Sequence, residues 1–185
     1  MSMALLLIDI QNDYFPGGAM TLEGSVAAGL CAAQLLATCR ERKVPVVHVQ
    51  HLSTRPGAAF FVPDSRGVEF HACVEPDAGE TVIRKNYPNS FRGTGLLEHL
   101  QRLEITDLVI GGMMTNMCID ATVRAAADHG FRCRLAHDAC AAKALSFNGV
   151  DVPAAQVHAA FLGALQGLYA EIAASEKLLA GPSSV

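Results

Sequence analysis

Three residues able to do acyl-transfer chemistry stand just past apolar runs. Asp9 follows Ala4-Leu5-Leu6-Leu7-Ile8. Lys85 follows Thr81-Val82-Ile83 by way of Arg84. Cys118 lies shortly after the apolar run 107–110 and a glycine pair, Gly111-Gly112. The thiolate is the reactive form of cysteine, and its pKa falls at a helix N-terminus and beside a cation. A carboxylate alongside can take the thiol proton and later activate water. Aspartate, lysine and cysteine together therefore suffice for nucleophilic acyl transfer without histidine or metal. Glycines directly after a buried strand also permit a sharp turn that aims backbone N–H groups into a cleft, as an oxyanion hole requires. Singly, each residue has a plainer reading: Asp9 as a turn cap, Lys85 as a solvated charge, Cys118 as a small core residue.

These residues can meet only if their elements bring them to one edge. Residues 4–8 are short and continuously apolar, as suits a strand covered on both faces. Residues 25–42 carry a helical stripe with Ser25 as its expected N-cap. Strands are predicted at 44–49, 81–83, 107–110 and 132–136, the last being the final strand. Helices are predicted at 95–103, 116–129 and from about 153 to 169. Between them, residues 52–79 form a long excursion rich in proline and glycine, of the length that usually marks a lid or binding loop. Strands alternating with helices imply a mostly parallel sheet flanked by helices, an α/β three-layer sandwich. In such sheets ligands bind past the carboxyl ends of the strands, where Asp9, Lys85 and the segment after Gly112 lie. One domain over residues 1–180 with a frayed tail at 181–185 is expected.

Composition narrows the class. The 185 residues carry a net charge of −4, with 51% hydrophobic and only 17% charged residues, the reverse of a disordered chain. Basic residues are spread along the chain, so no nucleic-acid partner is expected. No apolar run reaches the ~20 residues of a membrane span, and Met1-Ser2-Met3-Ala4 lacks the basic start of a signal peptide. Six cysteines without CxxC spacing fit neither a secreted disulfide scaffold nor a zinc ribbon. A cytoplasmic location is the expectation, with five of the cysteines serving as packing.

Three stretches resemble the isochorismatase-like cysteine hydrolases. They are Leu7-Ile8-Asp9-Ile10-Gln11-Asn12-Asp13-Tyr14-Phe15, then Arg84-Lys85-Asn86-Tyr87-Pro88-Asn89-Ser90-Phe91-Arg92-Gly93-Thr94-Gly95-Leu96, and then Gly111 to Cys118 continuing through Phe131. Their order and spacing span residues 4–140. The resemblance implies that fold, with Asp9 as general base, Lys85 as the cation assisting thiolate and oxyanion, and Cys118 as nucleophile. It also implies a cis peptide at Met113–Met114, with the backbone N–H groups of Met114 and Cys118 holding the oxyanion. A small-molecule substrate cleaved at an amide, ureide or lactam C–N bond follows, without a cofactor, in a homo-oligomer.

Nicotinamidases of this family carry a metal through an Asp-x-His motif after the second strand. The matching stretch here is Gln50-His51-Leu52, so no metal is expected. His48, His51 and His71 read as packed or hydrogen-bonded, with His51 also placed near substrate. Gln11 reads equally as a substrate contact or a turn hydrogen bond. Phe15, Phe60, Phe61, Tyr87 and Phe91 read as a substrate wall or as loop packing. Arg55 and Arg66 read as anion or subunit contacts. Other readings of the chain are a vinyl-ether hydrolase, as true isochorismatases are, and a non-catalytic binding protein of the same fold. A flavodoxin-like cofactor binder is disfavoured because no phosphate-binding loop follows the first strand.

Overall fold

The computed structural model describes residues 2–179. The first strand explains the rest of the architecture. In β1 (Met3–Ile8), Leu5 and Leu7 enter one apolar cluster while Leu6 and Ile8 enter another, so its unbroken apolarity serves two cores at once. The first core is closed by α1 (Ser25–Glu41), through Ala28, Ala32, Leu35 and Leu36. The second is closed by α2 (Leu96–Arg102), α3 (Asp120–Asp128) and α4 (Ala154–Leu165), through Leu96, Leu100, Val123 and Leu165. Between them lie β2 (Val46–His51), β3 (Thr81–Lys85), β4 (Asp107–Met113), β5 (Arg132–Ala141) and β8 (Ala170–Ala173). The sheet has six strands in the order β3-β2-β1-β4-β5-β8, each pairing parallel. This is the helix-flanked parallel sheet the alternation predicts. The strand order reverses between β1 and β4, and that switch point is where a crevice opens past the strand ends.

Several boundaries differ from the sequence reading. Gly24, with φ +77°, is the N-cap of α1, and Ser25 is already helical. β3 continues to Lys85, which pairs with His51 across the ladder. β5 does not stop at 136 but runs to Ala141, where Cys140 and Ala141 pair with Gly112 and Met113 after a register shift. Small alanines and the polar pair His137-Asp138 hide this extension. The Asp138 carboxylate is used locally, accepting from the Ser175 amide and hydroxyl at 2.8 Å each. β6 (Leu145–Phe147) and β7 (Val150–Val152) form a hairpin outside the main sheet, and β8 is the true last strand, followed by α5 (Ser175–Leu179). α4 ends at Leu165 instead of 169. The tail at 181–185 lies outside the described residues. Among those described, no helix is long and apolar enough to cross a membrane.

Gly112 sets how closely β1 and β4 approach. Its φ is +140°, and a Cβ there would lie 2.0 Å from the Ile8 carbonyl oxygen. Both conditions exclude a side chain. Gly112→Ala is expected to destabilise the fold by about 3 kcal/mol or more, a backbone-conformation cost of about 1–3 kcal/mol plus a clash that only strand separation relieves. Urea unfolding measures it. A midpoint equal to the parent's would disprove the close approach.

Candidate active site

Asp9 leaves β1 with φ +53°, a left-handed turn that aspartate tolerates better than most residues, and its amide donates to the Val49 carbonyl at 3.0 Å. Its carboxylate is fully buried. Oδ2 lies 2.7 Å from Lys85 Nζ, also buried, while Oδ1 has no hydrogen-bond partner among the described residues. Lys85 Nζ also donates to the Pro88 carbonyl at 2.8 Å. The turn carrying Pro88 is pinned to α3, because the Ser90 amide donates to Thr122 Oγ1 at 3.1 Å and the two hydroxyls are 2.9 Å apart. Burial alone would depress the Lys85 ammonium, but the Asp9 carboxylate, with Cys118 after it, outweighs burial and holds it above its ordinary value.

Cys118 does not sit in the first turn of a regular helix. β4 ends at Met113, the Met113–Met114 peptide bond is cis, and residues Thr115–Ile119 form a single π-helical turn before α3 begins at Asp120. The Met114 carbonyl accepts from the Met117 and Ile119 amides at 3.1 and 3.3 Å. Thr115 Oγ1 and His158 Nδ1 of α4 are 2.9 Å apart, tying this turn to the next layer. Cys118 is 3% exposed, against 47% for Met117 beside it. Burial first, then the Asp9 carboxylate, push its thiol far above the ordinary value, against the pull of Lys85. The expectation of a lowered pKa is therefore corrected. In this crevice desolvation outweighs the nearby cation, so the resting group is a thiol and needs a base.

His51, at the end of β2, completes the cluster. Its Nδ1 lies 3.8 Å from Cys118 Sγ and 3.7 Å from Asp9 Oδ2. Gln11 holds it there. The Gln11 side chain donates to the His51 carbonyl at 3.0 Å and to the Val68 carbonyl at 2.7 Å, and accepts from the His51 amide at 2.8 Å. Fully buried with both amide ends engaged, Gln11 is a turn brace and not a substrate contact. It also fastens the 52–79 excursion, helped by Asn12, which donates to the Arg66 carbonyl at 3.0 Å, and by Asp13. The Asp13 carboxylate accepts from the Phe61 amide at 2.6 Å and the Ala19 amide at 3.1 Å. The excursion is thus anchored, with Phe61, Val68 and Val74 buried beneath it.

The aromatic residues divide. Phe61 lies 5.4 Å from the His51 ring and 4.8 Å, edge-on, from Tyr14. The Tyr14 phenol is held above its ordinary value by burial, then by Cys118 and Asp9. Tyr14 and Phe61 therefore wall the cluster, with Phe60 against both. Phe15 instead stacks on His71 at 3.6 Å, and Phe91 packs near His129 and Phe131, so both serve packing. Tyr87 is exposed beneath the Arg92 guanidinium at 3.8 Å. Arg55 and Arg66 are exposed. Tyr14, Pro88, Thr122 and His158 were not singled out for roles at the site by sequence reasoning. Only Thr122 carried a signal, one helical turn after Cys118 and so on the same face.

The side chains around the stretch matched to the nicotinamidase Asp-x-His motif are engaged elsewhere. Gln50 replaces the aspartate and spends its amide on the Val68 carbonyl and Arg84. His48 pairs with Glu80 at 2.8 Å, and His71 Nδ1 lies 3.0 Å from Cys73 Sγ.

The chain matches the Isochorismatase domain over residues 3–176. It belongs to the isochorismatase family. The Bacillus subtilis (strain 168) protein YddQ, an uncharacterized isochorismatase family protein, is 49% identical over 179 residues, covering 97% of this chain and 99% of YddQ. The maleamate amidohydrolase of Pseudomonas putida is 34% identical over 143 residues, covering 70% of this chain and 67% of that enzyme. The solved structure of an isochorismatase-type protein from Oleispira antarctica superposes with a TM-score of 0.94 at 51% identity, covering 97% of each chain. The chain is accordingly an isochorismatase-family hydrolase.

Proposed function

We propose that this isochorismatase-family protein hydrolyses a C–N bond in a small carboxamide, ureide or lactam through a thioester on Cys118. One observation carries the reading: a buried thiol, a buried carboxylate with one unpartnered oxygen and a buried ammonium converge where the strand order reverses. Vinyl-ether hydrolysis has no use for such a thiol. Maleamate amidohydrolase, a relative by sequence, cleaves the kind of bond proposed.

For a carboxamide the steps balance as follows. Asp9 takes the Sγ proton as Cys118 attacks the carbonyl carbon, so no preformed thiolate is needed. The oxyanion is met by the Lys85 charge and by the backbone amides of Met114 and Cys118. Asp9 returns the proton to the nitrogen as the C–N bond breaks and ammonia leaves. Water then attacks the thioester, giving its proton to Asp9, and the carboxylic acid departs as the thiol is restored. Tyr14 and Phe61 shield these steps from bulk water, and His51 stands beside both the nucleophile and the base.

Screening amides, ureides and lactams for ammonia or amine release tests the reading. At least one class is expected to turn over in the parent and not in Cys118→Ala. Equal release by both proteins would overturn it.

A further inference from the structure

We infer that Asp9, His51 and Cys118 form an inhibitory binding site for a thiophilic divalent cation of the zinc type. This rests on the proposed catalytic use of Cys118 only for its consequence, inhibition; the binding itself stands on geometry. Among the described residues, the carboxylate, imidazole and thiol offer one ligand atom each, all within 4.8 Å of one another. Around a tetrahedral zinc ion, with Zn–S of about 2.3 Å and Zn–N of about 2.0–2.1 Å, sulfur and nitrogen stand about 3.5 Å apart. His51 Nδ1 is already 3.8 Å from Cys118 Sγ and 3.7 Å from Asp9 Oδ2. For the His51–Cys118 pair an adjustment of a few tenths of an ångström suffices, and the three ligand atoms together draw in from a span of up to 4.8 Å.

A second observation points the same way. Asp9 Oδ1 is buried without a hydrogen-bond partner, although Oδ2 is held by Lys85. The oxygen 3.7 Å from His51 Nδ1 is Oδ2, which Lys85 holds; the free Oδ1 is the one that can turn to the ion while Oδ2 keeps its lysine. The metal displaces the Sγ proton to solvent; thiolate and carboxylate offset the two charges of the cation, and the Lys85 ammonium leaves the loaded cluster with one net positive charge. Three protein ligands leave a fourth position for water. Gln11, braced on the His51 backbone, limits how far the imidazole can retreat. The site differs from the Gln50-His51-Leu52 position in what it uses: it borrows the nucleophile and the base, so loading blocks attack.

Cobalt(II) serves as a spectroscopic probe and zinc(II) as the ion for dialysis, both with the full chain. The parent is expected to bind about one equivalent of zinc and, with cobalt, to show the near-ultraviolet charge-transfer band of a thiolate ligand, erased by chelator. Cys118→Ser, checked for folding by circular dichroism, should lose the band. His51→Asn should weaken zinc binding about tenfold or more. Cys73→Ser, which removes the thiol beside His71, should change nothing. No band in the parent, a band surviving in Cys118→Ser, or one lost in Cys73→Ser would overturn the proposal. None of these readouts needs a substrate, so failure here is separable from failure of the hydrolase reading. With a substrate in hand, zinc should inhibit at the concentration at which it binds.

Discussion

Cys118→Ala is expected to abolish turnover, by about 10⁴-fold or more, while leaving the fold intact. Removing a nucleophile that works as a unit with its base costs nearly all the catalysis that the unit supplies. The structural cost is small, because one sulfur leaves a small gap in the second core, worth about 1 kcal/mol. Kinetics on a substrate from the amide panel and an unfolding curve separate the two effects. Mass spectrometry of the parent with a slow substrate should show an acyl group on Cys118. Turnover within tenfold of the parent would sink the nucleophile assignment. The raised thiol pKa has its own consequence: in the resting protein, iodoacetamide should modify Cys118 slowly at neutral pH and faster as the pH climbs above the ordinary thiol range. In the proposed mechanism, reactivity arises when substrate and Asp9 act together.

Lys85→Met is expected to destabilise the protein by about 3–5 kcal/mol, because it strands the Asp9 carboxylate in a buried site without its countercharge. Asp9→Asn should be destabilising for the mirror reason, leaving the buried ammonium without its countercharge. The double variant removes both charges and should recover much of the loss, so a double-mutant cycle reads a large coupling. All three should be inactive. Urea midpoints decide it: a Lys85→Met protein within 1 kcal/mol of the parent would mean that water reaches Asp9 freely. The pair is a poor stability device compared with apolar residues of similar volume. Its place at a strand-end crevice fits the proposed chemistry.

Much of this was legible in the residues. Five apolar residues in a row before Asp9 pointed to a strand with two covered faces; Gly111-Gly112 suggested a turn before Cys118, but both lie inside β4, where Gly112 allows the close approach to β1. Those patterns are local, because burial on both faces and positive φ leave marks on residue type. Asp9, Lys85 and Cys118 could be nominated because each follows a strand and parallel strands share one functional edge. The extension of β5 through alanines, the extra strand β8 and the β6–β7 hairpin left weaker marks. Small residues fit helix, strand and loop alike, and only their ladder partners choose among them.

What tertiary structure alone decided is the environment of the nominated groups. From the sequence, a cation and a helix start beside Cys118 argued for a lowered thiol pKa. The fold buries the thiol and sets it on a π turn, and desolvation wins. Gln11 was undecided until its amide met backbone groups of His51 and Val68, which lie 40 and 57 residues away. Phe15 and Phe61 looked alike as aromatic loop residues, yet one stacks on His71 and the other faces His51. Residue types and spacings by themselves determined which groups are available and on which edge they stand. Distances, burial and the sharing of hydrogen bonds depend on contacts between segments far apart in the chain, and these decided which groups touch, which are spent on the scaffold and which proton has to move.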